Sequence, residues 1–289
     1  MKRKFTFIPL LFAAAIACAN TDVPEINGDV DSVENTAETE INVKTDSSTN
    51  TAVSSINGKI DTAYGRLDST DAWINGGSFS VPIAEALGVQ ADALYADIGD
   101  TEYGGFGGHF FWRDYEVGLF GIAAGGVWSN DVDTYEISLE GEYYYGMLTF
   151  GARAGYASID LDSSDLFPSL DLDEEGAFGL AYVTAYPLED LSVMAGLEYR
   201  FDNPIFRLEA EYAITSCGLS IFAQGLFAND DYEQGVIGLR YYFGSKKTLQ
   251  ERHRQDDPRN ILKDLLANTF TYRAEGVLKT PIESEVPDL

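Results

Sequence analysis

The chain has two imidazoles, His109 and His253, and two thiols, Cys18 and Cys217. Acyl transfer needs a Ser or Cys nucleophile, a His base and a polar third group that orients the base. His109 stands in Gly107-Gly108-His109-Phe110-Phe111 with no serine beside it at a suitable spacing, and His253 lies in a basic segment near the C-terminus. A structural role is therefore expected for His109. The Cys and His spacing of a zinc site is absent. Asp160-Leu161-Asp162, Asp165 and Asp171-Leu172-Asp173-Glu174-Glu175 offer hard oxygen ligands, but without the fixed spacing and glycine of a calcium loop. This acid is read as a solvated loop. Gly104-Gly105-Phe106-Gly107-Gly108 lacks the Lys-Ser or Lys-Thr and the helix of a phosphate loop, and is expected to let aromatic side chains pack on a curved strand. No catalytic residue, metal or cofactor is assigned, and the chain is not read as an enzyme.

Charge is the remaining chemistry. The 289 residues carry a formal charge of −28. Nucleic acid is excluded as a partner on that ground, because a phosphate backbone is held by Lys and Arg. The basic residues Lys2, Arg3 and Lys4 precede an apolar run, Phe5–Ala17, that ends in Ala17-Cys18-Ala19. This is the pattern of a secretory signal peptide over residues 1–19. Ala15-Ile16-Ala17-Cys18 also resembles a lipoprotein processing site, in which Cys18 would be acylated. Export follows from either reading. After cleavage behind Ala19 only Cys217 remains, so no intramolecular disulfide is expected. Residues 20–54 are rich in Asp, Glu, Thr, Ser and Asn and nearly free of aromatics. They read as a disordered acidic linker that cannot bury enough apolar surface to offset chain entropy.

From Ile56 to Phe243 the pattern changes to short alternating runs, with turn residues every ten to fifteen positions. About twelve strands are expected in residues 55–244, and no run of apolar residues is long enough for a transmembrane helix. The alternation assigns charge to one face. Lys59 and Asp61 share it in the first strand, Asp92 in the third, Glu136, Glu140 and Glu142 in the sixth, and Arg153 in the seventh. Glu198 and Arg200 follow in the ninth strand, Arg207, Glu209 and Glu211 in the tenth, and Arg240 in the twelfth. Tyr103–Arg113 is ambiguous in parity, and part of Tyr115–Trp128 is apolar on both faces. Alternation does not say which face is inside, but a barrel of this size is too wide to fill with Ala, Leu and Val. The expected fold is therefore an all-β antiparallel transmembrane barrel with its apolar face toward lipid. Short turns on the side of the barrel's ends, with the longest and most acidic connection, Leu161–Glu175, opposite, fit that pattern.

The stretch Tyr232–Phe243 sharpens this expectation. Gly238, Tyr241 and Phe243 resemble the closing-strand signal of bacterial outer-membrane β-barrels, which the barrel assembly machinery reads. Val236 stands where the signal usually carries a polar residue, and the chain continues past Phe243. The tail, residues 245–289, is basic at first (Lys246, Lys247, Arg252, His253, Arg254, Arg259). It then shows helical spacing over Ile261–Phe270 through Ile261, Leu262, Leu265, Leu266 and Phe270. Phe243-Gly244-Ser245-Lys246-Lys247 running into Arg252–Pro258 looks like the periplasmic tail of a group of porin-like barrels.

The resemblance to porin-like barrels implies an outer-membrane channel for passive diffusion of small polar solutes or ions, with outer-membrane lipids as its surroundings. The charged face named above would line the pore. Two alternatives stay open: a closed barrel with a structural, adhesive or envelope-tethering role, and an enzyme resembling outer-membrane phospholipase A. The tail could plug the pore, bind an anionic envelope polymer, dock on the acidic linker, or be a solvated extension with one short helix.

Overall fold

The computed structural model describes residues 51–130, 132–161, 174–214, 218–228, 232–244 and 246–279. The expected signal peptide, Cys18, Cys217, most of the acidic linker and the acidic connection 162–173 lie outside the described residues.

Twelve antiparallel strands close into a barrel. They are β1 (Asn57–Leu67), β2 (Thr70–Ala84), β3 (Leu87–Ile98), β4 (Thr101–Asp114), β5 (Gly118–Trp128) and β6 (Val132–Tyr145), followed by β7 (Leu148–Leu161), β8 (Glu174–Leu188), β9 (Leu191–Arg200), β10 (Asn203–Ala213), β11 (Leu219–Phe227) and β12 (Glu233–Tyr242). Each strand pairs with its neighbour in sequence, and β1 pairs with β12 in the register Asp61↔Arg240 and Ala63↔Gly238. Closure leaves no unpaired strand edge. The rim holding the start of β1 and the end of β12 is called here the near rim, and the opposite one the far rim.

Every strand shows period 2, and the two faces are opposite in character. Outside, Phe79, Phe106, Phe120, Ile137, Leu139, Leu197 and Ile237 are exposed, with Phe106 at 66 %. Inside, Asp61, Asp92, Glu136, Arg153, Glu198, Arg200 and Arg207 are buried, Glu198 completely. An apolar outer belt around a polar interior is the arrangement of a barrel that sits in lipid.

The far-rim turns are shorter than the strand pattern suggests. β2 begins at Thr70, five residues before the alternation becomes clear at Asn75, so only two residues join it to β1. Phe201 and Asp202 join β9 to β10 with φ of 50° and 60°, the doubly left-handed turn whose twist matches a hairpin. Of the aromatics near strand ends, Tyr186 and Tyr232 point inward and are buried. They belong to the interior and not to an interfacial girdle.

Two helices follow the barrel: α1 (Leu249–Gln255) and α2 (Ile261–Lys279). The α1 helix begins in a capping box. The Thr248 hydroxyl accepts from the Glu251 backbone and the Glu251 carboxylate accepts from the Thr248 backbone. The sequence motif Thr248-Leu249-Gln250-Glu251 carries that signal. α1 lies across the near rim, where Gln250 N–H donates to Glu189 O and Arg254 donates to Leu148 O. Ala52 and Val53, which composition places in the linker, are fully buried at the same rim beside Phe111 and Leu119. α2 extends nine residues past the expected Phe270 and enters the barrel. Among the described residues, no helix is long and apolar enough to cross a membrane by itself.

Candidate functional site: the lumen and the helix within it

The interior of the barrel has two unlike walls. From β1 to β7 it carries Leu67, Ile74, Leu94, Ala96, Ala123, Val127 and Ile159, all buried in one apolar cluster with Ile261, Leu262, Leu265 and Leu266 of α2. These α2 positions fall on one helical face, and the inner wall supplies the apolar surface that removes them from water. The wall is shaped for them. A Cβ on Gly125 would lie 3.0 Å from Leu262 Cδ2 and 3.2 Å from Ile261 Cδ1, and one on Gly107 would lie 3.2 Å from Leu262 Cδ2. The glycines thus leave a hollow that two helix side chains fill. The parts of the sequence that were ambiguous or apolar on both faces, in β4 and β5, are the parts that hold the helix.

Charged residues occupy the rest of the inner face, on β1, β3 and β6 as well as β7 to β12, and the same helix answers many of them. Asp264 bridges Arg153 at 3.4 Å and Arg207 at 3.2 Å. Arg207 in turn binds Glu198 at 2.6 Å. Arg200 binds Glu198 and Glu136, each at 2.7 Å, and its guanidinium lies 3.8 Å from the centre of the Phe178 ring. Asn268 joins this network, donating to Glu198 at 2.9 Å and accepting from Arg207 at 2.5 Å. Lys263 pairs with Asp61, which also meets Arg240 at 3.5 Å. Arg240 pairs with Glu211.

The segment between the helices is held in the same way. Asp257 pairs with Lys59, and Arg259 bridges Glu209 at 2.8 Å and Asp264 at 3.3 Å. Burial works against the charge of Arg259, but Asp264 and Glu209 raise its pKa further above its already high ordinary value. Asn260 donates to Ser78 Oγ at 3.2 Å, and its own side chain accepts from Leu262 N–H at the start of α2. Each of the charges named so far therefore meets an opposite partner, which is what burial of ions requires.

All thirteen charged residues singled out from alternation face this interior. Asp92 and Glu140 are engaged with a residue that was not on that list. The His109 ring spans them, at 3.0 Å from Asp92 and 2.9 Å from Glu140. Both ring nitrogens are thus occupied by carboxylates, and neither is directed at a hydroxyl nucleophile. Glu142 accepts from Tyr182 at 2.7 Å and from Tyr144 at 3.0 Å. His253 lies between the hydroxyls of Tyr186 and Tyr242, each at 3.0 Å. Among the described residues there is no cluster of His, Cys, Asp and Glu able to hold a metal ion.

Sequence reasoning missed the tail's contribution: Asp257, Arg259, Lys263, Asp264 and Asn268. The available signal was the polar face of the predicted helix, where Lys263 and Asp264 sit opposite its leucines. Between the tail and the inner wall remains a cavity of about 80 Å³, bordered by Glu142, Tyr182, Gln224, Arg259 and Lys263.

At the closing strand, Gly238 faces Phe222 and Thr62 with no room for a Cβ. The Tyr241 and Phe243 rings meet edge to face, with centroids 5.0 Å apart.

No protein-family model and no curated protein matches the sequence. Among solved structures, the chain is similar to the KdgM porin in complex with disordered oligogalacturonate. Identity there is 13 %, the TM-score is 0.49, and the match covers 64 % of this chain and 99 % of that one. It is similar to the NanC porin at 11 % identity and a TM-score of 0.48, covering 64 % and 98 %. It is also similar to the outer membrane phospholipase A from Escherichia coli at 11 % identity and a TM-score of 0.41, covering 66 % and 93 %.

Proposed function

We propose that the protein is an outer-membrane channel of porin type that passes small polar solutes or ions, with its own C-terminal helix as a plug. The observation that carries this reading is the interior wall. Arg153, Arg200, Arg207 and Arg240 pair with Glu136, Glu198, Glu209 and Glu211 along the inner face of a barrel that the twelve strands close without help from the tail. Such a lining favours hydrated, polar contents, and selectivity then follows from charge and width. An apolar exterior beneath aromatic strand ends suits a bilayer, and the resemblance of Gly238, Tyr241 and Phe243 to the closing-strand signal supports delivery by the barrel assembly machinery.

Under this reading the plug limits flux in the resting protein. Liposomes holding a chain that ends at Gly244 release small sugars and ions, while liposomes holding the full chain release them slowly. Neutralising Arg153, Arg200, Arg207 and Arg240 in the shorter chain shifts its reversal potential toward cation preference. An unchanged reversal potential would remove these arginines from the pore lining.

One observation favours a second reading, a barrel that stays closed and acts structurally. The hollow at Gly107 and Gly125 seats α2 on an apolar wall, which a water-filled pore has no use for. The two readings separate on the shorter chain: a folded barrel that releases nothing supports the closed one.

A further inference from the structure

The path of α2 along the barrel axis has a consequence beyond closure of the lumen. α1 lies at the near rim, on Glu189, Gly146 and Leu148. Pro258 and Asn260 are still close to it, at Lys59, Gln90 and Ser78. Leu262 and Asp264 are at mid-height, beside Gly107, Arg153 and Arg207. Asn268 has reached Glu198, two residues from the far end of β9. Thr269 bonds Thr134, two residues from the far end of β6, at 2.9 Å. Phe270 packs edge to face on Tyr103, two residues from the far end of β4, with ring centroids 5.2 Å apart. Ala267 and Phe270 also share a cluster with Ile205, Leu226 and Tyr232, the last just beyond the far end of β12. By Thr271 the helix has therefore climbed the whole lumen, yet it continues to Lys279. Eight more residues at the rise of an α-helix carry it about 12 Å further.

We propose that α2 threads the barrel and emerges at the far mouth, so that its end at Lys279 lies on the outside of the cell. The barrel would then be a conduit for its own C-terminal part, crossed once more by a helix that never meets lipid. This solves the problem that α2 is too polar to span a membrane alone: Lys263, Asp264 and Asn268 find their partners on the inner wall. The outward direction rests on the membrane-barrel reading above, in which both barrel ends lie on the periplasmic side and the long acidic connection between β7 and β8 faces outward. It does not require that the lumen conduct.

The test uses the full chain with Cys217→Ser, produced in a Gram-negative host and treated with a membrane-impermeant thiol reagent. Single cysteines are placed at Lys279 (K279C), at Ser69 in the far-rim β1–β2 turn, and at Glu116 in the near-rim β4–β5 turn. The expected result is a ratio of intact-cell to permeabilised-cell labelling for K279C close to that of S69C, with E116C silent until the outer membrane is opened. S69C labelled and K279C silent on intact cells would overturn the proposal and leave the membrane barrel standing. E116C labelled and S69C silent would invert the barrel and overturn it as well. Recovery of the protein outside the outer-membrane fraction would instead remove the membrane reading itself. If K279C lowers yield, an epitope tag after Leu289 detected by antibody on intact cells replaces it, with the same two outcomes.

Discussion

Asp264 is the residue on which the charged half of the lumen converges, since Arg153, Arg207 and Arg259 all reach its carboxylate. Replacing it leaves two buried guanidiniums, Arg153 and Arg207, and the partly exposed Arg259 short of a partner. Breaking one side of a buried ion pair costs about 3–5 kcal/mol, because the remaining charge stays in a poor solvent. Asp264→Ala is therefore expected to loosen α2 by about that much, read as proteolytic cleavage within the tail while the barrel stays resistant. Lys263 and Asp61 provide a sharper case at the same scale. Lys263→Ala alone strands Asp61 beside the single remaining partner Arg240, whereas Lys263→Ala with Asp61→Ala removes both charges. The double variant is expected to lose less than the sum of the two single ones, measured as tail protection in a double-mutant cycle. Additive losses would mean that the pair does not couple the helix to the wall.

At the scale of elements, the seat of α2 is set by small residues on β4 and β5. Gly125→Leu is expected to overpack the hollow at Leu262 and Ile261, at a cost of about 1–3 kcal/mol to the docked tail. The same substitution in a chain ending at Gly244 is expected to leave barrel stability nearly unchanged, as measured by urea unfolding. Equal destabilisation of both chains would place the effect in the sheet and not in the seat.

This element also shows what the sequence could and could not disclose. Strong alternation with charge on one face, as in β9 and β10, is a local property of the chain. It located the strands and set Glu198, Arg200, Arg207, Glu209 and Glu211 on one face, the face that points inward. β4 and β5 resisted the same treatment because their inner face does not meet water. Ala123 and Val127 are apolar there because α2 residues more than a hundred positions later pack in the same cluster, and Leu119 because it packs with Ala52 and Val53 from well before it in the chain. The helix signal at Ile261–Phe270 was legible from spacing, but its surroundings were not. Helical periodicity says that an apolar face must be covered, and not by what. Basic composition drew attention to the tail's cations, while Asp257 and Asp264, which bind Lys59, Arg153 and Arg207, passed unnoticed among them.

For the whole molecule, the account is of a barrel complete in its own hydrogen bonding, with a separate chain segment occupying its lumen. The strands close through β1 and β12 without any contribution from α1 or α2. The tail is held by an apolar face packed on the inner wall, by ion pairs to β1, β7 and β10, and by the hydrogen bonds of α1 to the backbone oxygens of Glu189, Gly146 and Leu148 at the near rim. Such a division predicts two separable transitions. High salt weakens the partly exposed Arg259–Glu209 pair first, so protease access to the tail is expected to rise with salt before the barrel loses its heat-resistant gel mobility. A single concerted loss of both would mean that tail and barrel form one cooperative unit.

The measurement that bears most directly on a plugged channel is single-channel conductance in a planar bilayer, with the full chain and the chain ending at Gly244 compared under the same salt. The account predicts rare or small openings for the full chain and steady conductance for the shorter one. A shorter chain that is folded and inserted yet silent would contradict it, leaving a barrel that encloses its helix without conducting.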